Sequence, residues 1–127
     1  MSKTIITTTN APQAIGPYSQ AVRAGDFLYL SGQIAINPDT GDLVTESFAA
    51  QVRQIFKNIN AVLAAAGAEF SQVVKTTVFL KNMDDFTEMN GIYAEYFPGD
   101  PPARSAVQVA KLPKDVDIEI EVIAHLA

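Results

Sequence analysis

Between Ser47 and His125 the hydrophobic residues of this chain change period again and again, and that alternation restricts the fold more than any other feature. Phe48, Val52, Phe56, Ile59 and Leu63 recur at helical spacing. Val62 and Ala66 widen the stripe, so a helix is expected over about Ser47 to Ala66. Thr45 is placed to cap its start and Gly67 to end it. From Val73 to Lys81 the period falls to two. Val74, Thr76, Val78 and Leu80 share one face, and Lys75, Thr77, Phe79 and Lys81 the other. Helical spacing returns over Asp84 to Phe97, with Phe86, Met89, Tyr93 and Phe97 as the packing stripe. Asp84 or Asp85 suits its positive end. Arg104 to Val109 and Asp117 to His125 are extended again, and Ile118, Ile120, Val122 and Ala124 lie on one face of the last strand.

The N-terminal third reads as short strands between breakers. Thr4 to Thr8, Ser19 to Arg23 and Phe27 to Gly32 are extended. Asn10-Ala11-Pro12 and Gly16-Pro17 interrupt them, Ala24-Gly25-Asp26 makes a hairpin turn, and Asn37 to Asp42 is a further turn. The order is β-β-β-α-β-α-β-β. This predicts an α/β protein of the α+β kind: a two-layer sandwich with both helices on one face of the sheet. The other face carries Phe79 and Ile123 among polar residues and needs cover, which a second copy of the chain supplies most simply. At 127 residues the chain has room for one domain and one modest core.

Composition removes several function classes. Fourteen acidic residues against nine basic ones give a net charge of -5, which disfavours broad contact with nucleic-acid phosphates. Lys3, Lys75, Lys81, Lys111 and Lys114 form no continuous basic tract. Without cysteine there is no disulfide, thiolate nucleophile or Cys-metal site. His125 has no partner at metal-ligand spacing, and Ser105 lacks the context of a triad nucleophile. Phosphate-binding glycine motifs are absent, so no nucleotide cofactor is expected. No apolar run is long enough for a membrane span and no signal peptide is visible, so a cytoplasmic location is expected.

Six residues stand out as candidates for chemistry. Arg104, in Pro102-Ala103-Arg104-Ser105-Ala106-Val107, suits bidentate capture of a carboxylate, and amides near Ser105 and Ala106 can add donors. A surface salt bridge or an anchor for the Pro-rich loop explains the same arginine. Glu119 shares a strand face with Glu121, where one carboxylate can orient water or exchange a proton. An ordinary solvated face is the alternative, and spacing does not rank the two. Tyr18 can wall a pocket or pack the N-terminal loop. Gly32 permits close backbone approach or marks a bulge. Asn90, offset from the helical stripe, anchors a neighbouring segment or faces solvent.

The segments IGPYSQAV, YLSGQIAINPDTG and PARSAVQVAKLPKDVDIEIEVIA together resemble the RidA/YjgF family over essentially the whole chain. The resemblance implies a chorismate-mutase-like fold and a homotrimer with pockets between neighbouring subunits. It also implies hydrolysis of reactive 2-imino acids, tautomers of enamines, to 2-oxo acids and ammonia. 2-Iminobutanoate and 2-iminopropanoate are the leading substrates. Pyridoxal phosphate belongs to the upstream dehydratase, and no cofactor is expected here. On this resemblance Arg104 clamps the substrate carboxylate, and Glu119 positions water and assists proton transfer. Tyr18 and Asn90 shape the pocket, Gly32 brings backbone groups to the imine end, and the Ala106 amide faces the substrate. Many bacterial relatives carry cysteine where this chain has Ala106, so thiol-dependent roles are not expected. Sensing of 2-oxo acids, endoribonuclease activity and a holdase-like role are the alternatives.

Overall fold

The computed structural model of the protein describes residues 2–127. Its strands are β1 (Thr4–Ile6), β2 (Ala21–Ala24), β3 (Phe27–Gln33), β4 (Val73–Leu80), β5 (Ala103–Gln108) and β6 (Ile118–His125). The helices are α1 (Phe48–Ala65) and α2 (Phe86–Tyr96). The strands form one sheet in the order β1-β2-β3-β6-β4-β5. Only β4 and β5 pair in parallel, and α2 connects them. β6 inserts between β3 and β4 and runs antiparallel to both. The predicted α+β sandwich is therefore present, with a mixed sheet.

The core lies between the helices and one sheet face. Val52, Ile55, Phe56, Ile59, Val62 and Leu63 of α1 are completely buried, as are Leu28, Val78, Leu80, Ile118, Ile120 and Ala124 of the sheet. At the end of the sandwich Phe56 stacks on Tyr96 at 4.2 Å between ring centroids, with Phe70, Tyr93 and Phe97 packed edgewise or tilted around them. Such pairs each add ~0.5–1.5 kcal/mol beyond burial. Buried amides tie loops to this core. Asn58 donates to the carbonyls of Ile34 and Ile36, and Gln20 bonds the backbone of Thr8, Ala11 and Pro12. No helix among the described residues is long and apolar enough to cross a membrane.

Several local expectations are corrected. Ser47, not Thr45, caps α1: its hydroxyl accepts from the Ala50 amide at 3.0 Å. α2 begins at Phe86, because Met83–Asp85 form a 3-10 turn. The Asn82 side chain accepts from Asp84 N there, and that of Gln108 from Met83 N. β1 stops at Ile6, where the chain turns toward Gln20. Val74 is 42% exposed rather than on the core face. Val73 pairs with Ala124 and Lys75 with Ile123, so Val74 is an extra residue that breaks the alternation, and Val73 takes the buried position.

Candidate functional site

Arg104 lies on β5, paired in register with the fully buried Thr76 of β4, and its side chain takes the helix-facing side of the sheet. There its Nη1 donates to Asn90 Oδ1 at 2.6 Å. The guanidinium carbon lies 4.9 Å from the Tyr93 ring centroid and 5.4 Å from that of Phe86. Cation–π contacts of this kind contribute ~0.5–2 kcal/mol each, more as they are desolvated. Among the described residues Arg104 makes no salt bridge. Its positive charge is thus oriented by neutral groups and remains available to an anion. A cleft of about 500 Å³ opens beside it, lined by Asn90, Tyr93, Phe97, Pro102 and Arg104 among others.

Asn90 and its neighbours correct one sequence expectation. Phe86, Asn90 and Tyr93 recur at i, i+4 and i+7, so Asn90 belongs to the same stripe rather than lying off it. Phe86 and Tyr93 read in the sequence as packing residues only. The helical spacing joining them to Asn90 was visible, but the cation they face comes from β5. Tyr93 is further engaged by Thr76, with 2.7 Å between the two hydroxyl oxygens. Burial pushes the Tyr93 phenol pKa up, partly offset by the Thr76 hydrogen bond and the Arg104 charge.

Glu119 occupies the opposite, open face of the sheet. Its strand neighbours Ile118 and Ile120 are buried toward the helices, and its register partner on β4 is Phe79. Burial pushes its carboxyl pKa above the ordinary glutamate value, and the Glu121 charge adds to that shift. Glu121 is exposed, so the structure separates two carboxylates that spacing left equivalent.

Gly32 lies directly against Glu119. A Cβ built there would overlap Glu119 Oε2 and sit 2.8 Å from its Cδ. A bulge creates this contact: Leu30 pairs with Val122 and Gln33 with Ile120, three steps on β3 against two on β6. Strict alternation would have put Gly32 on the face of Leu28 and Leu30.

Ala106 follows Arg104 on the same side of β5 and lines a second cleft with Met83, Asp84, Phe86 and Thr87. Tyr18 is 53% exposed on the loop before β2, its hydroxyl accepting from Ile15 N at 3.4 Å. The Ser31 hydroxyl donates to the Ser19 carbonyl at 2.6 Å, which holds this loop beside the Gly32 bulge. One chain therefore groups Arg104, Asn90 and Ala106 on one side of the sheet and Glu119 and Gly32 on the other. The six candidates do not converge within a single copy.

The family model described as Endoribonuclease L-PSP matches residues 8–126. A RutC family protein of Pyrococcus horikoshii is 55% identical over 97% of this chain and 98% of its own length. A mouse protein named 2-iminobutanoate/2-iminopropanoate deaminase is 50% identical over 94% of this chain and 89% of its own. The crystal structure of a conserved Rid family protein from Yersinia pestis superposes with a TM-score of 0.96 at 54% identity, covering 98% of this chain and 99% of that one. Matches of this extent, on this sheet order, establish that the chain belongs to the RidA/YjgF family, among whose members are reactive-imine deaminases.

Proposed function

We propose that this protein hydrolyses 2-iminobutanoate and 2-iminopropanoate in pockets shared between the subunits of a homotrimer. The observation that carries this reading is Arg104, a guanidinium held by Asn90 and two ring faces with no carboxylate partner among the described residues. The identity to a relative named for this reaction gives the anion its chemistry.

The chemistry needs positioning and proton transfer and no covalent nucleophile. Asn90 occupies one Nη1 donor of Arg104, and the remaining donors take the substrate carboxylate. The imine carbon beside that carboxylate is electrophilic. Water adds to it while Glu119 accepts a proton from the water and the imine nitrogen is protonated. The carbinolamine nitrogen then takes the proton from Glu119 and leaves as ammonia: the C–N bond breaks, the C=O bond forms, and the hydroxyl proton passes to solvent, which replaces the proton the imine nitrogen drew from it. A carboxyl with a raised pKa is closer to the working pH and so serves both directions of transfer. Gly32 leaves space at the carboxylate, Tyr18 walls the pocket, and the Ala106 amide faces the bound acid.

The opposite placement of Arg104 and Glu119 supports a shared site. A neighbouring copy laid on the open face brings its own Arg104 edge toward Glu119. That face exposes Phe27, Tyr29 and Val107, with Phe79 and Ile123 half-buried among them, an apolar surface suited to burial against a second subunit. A contact joining different patches closes into a ring when its rotation completes a full turn, as it does in a threefold trimer.

The test generates 2-iminobutanoate with a threonine dehydratase and follows its decay. Wild-type protein should exceed the buffer rate, and Arg104→Ala and Glu119→Gln should each lose ~100-fold or more. Equal decay with and without protein would sink the assignment. Tight binding of 2-oxobutanoate without acceleration would identify a sensing module instead.

A further inference from the structure

Arg104 is the only charge on its side of β5 that faces α2, and its direction depends on what it rests against. Thr76, its register partner on β4, is completely buried. The Thr76 hydroxyl pairs with the Tyr93 hydroxyl at 2.7 Å. The Tyr93 ring then lies 4.9 Å from the guanidinium carbon. One end of the tyrosine is anchored on the strand beside β5, and its π-face supports the cation. The hydroxyl contact holds the far end of the ring axis in place, and Phe56 and Phe97, packed on the ring, keep its face turned to the guanidinium.

From this geometry we infer that Tyr93 is a positioning residue for Arg104, with Thr76 as the key that sets its ring. The inference rests on the proposed role of Arg104 as the carboxylate clamp. If Tyr93 only filled the core, the arginine would be held by Asn90 and Phe86 alone. A tyrosine that positions it reduces the rotamer freedom lost when the acid binds, so its contribution falls on substrate affinity rather than on the chemical step.

Four proteins are compared: wild type, Tyr93→Leu, Tyr93→Phe and Thr76→Val. KM and kcat for 2-iminobutanoate are measured together with the NMR shift of the Arg104 Nε–Hε group, which the ring face moves upfield. Tyr93→Leu should raise KM about five- to tenfold with kcat within about twofold, and should shift the Arg104 resonance downfield. Tyr93→Phe keeps the face but gives up the anchor to Thr76, so its KM should rise about two- to threefold, with kcat within about twofold and its resonance moved less than in Tyr93→Leu. Thr76→Val, close to isosteric, removes the same anchor from the other side and should fall between wild type and Tyr93→Leu, as Tyr93→Phe does; it also serves if Tyr93→Leu does not fold.

Wild-type KM and an unmoved Arg104 resonance in both Tyr93→Leu and Thr76→Val would overturn the inference. So would Tyr93→Phe behaving like Tyr93→Leu, since the ring face would then carry nothing. If wild-type protein does not accelerate imine decay, the functional reading fails separately. The resonance still decides whether Tyr93 holds Arg104.

Discussion

Glu119 shows how a residue's surroundings define its chemistry. Its half-buried position and the charge of Glu121 raise its pKa, so the folded state holds its proton to higher pH than the unfolded chain. Between the two pKa values the native state binds more protons, and stability falls as pH rises through the folded value. Glu119→Gln removes that ionisation. The variant should melt with wild type below the ordinary glutamate pKa and above it at pH 7, while its activity is lost. Thermal melts at the two pH values read this directly; equal melting temperatures at both would show that the carboxylate is not destabilised by its site. Gly32 sets where that carboxylate lies. The methyl of Gly32→Ala meets the far end of a flexible side chain, so the fold should tolerate it with less than ~1 kcal/mol lost. The displaced carboxylate should nonetheless lower kcat about tenfold or more, since misplacement of a catalytic group by an ångström weighs heavily on the rate. A variant with wild-type kcat would contradict the role of that contact.

At the scale of elements, the helices follow from sequence pattern and their ends do not. The α1 stripe of Val52, Phe56, Ile59, Val62 and Leu63 was legible because all of it faces one sheet. Its buried polar residues Gln51 and Asn58 were not, because their partners, Asp117 and the carbonyls of Ile34 and Ile36, lie far away in sequence. The cap belongs to Ser47, which adopts extended backbone and satisfies the Ala50 amide. Ser47→Ala should therefore cost ~1 kcal/mol in urea unfolding, and Thr45→Ala should cost little. The reverse order would return the cap to Thr45. Strand alternation failed at two places, Val74 and the Ser31-Gly32 pair, and both are bulges against β6. A bulge is a property of the pair of strands, so neither strand alone announces it.

For the whole molecule, the decisive fact is that Arg104 and Glu119 stand on opposite faces of one sheet. In a trimer with shared sites, each pocket takes Arg104 from one chain and Glu119 from its neighbour. Arg104→Ala and Glu119→Gln homotrimers are then both inactive, yet unfolding and refolding them together should recover about a quarter of wild-type activity, because random mixing restores one intact pair in four. No recovery would rule out pockets that take one of these residues from each of two chains. Light scattering on the wild type should give three times the 13.7 kDa chain mass, and a monomer would end the shared-site reading.

The element order, the two helical stripes, the core face of β6 and, through the PARSAVQVAKLP and IEI segments, the family can all be read from the chain alone. These features are local periods and short motifs, and each is complete within a few turns or strands of chain. Tertiary structure alone decided which carboxylate is half-buried, that Gly32 meets it, that Asn90, Phe86 and Tyr93 converge on Arg104, and that this arginine lies across the sheet from Glu119. Each of those depends on strand register and on which element packs against which face. Residues far apart in the chain set both, and no local period encodes them.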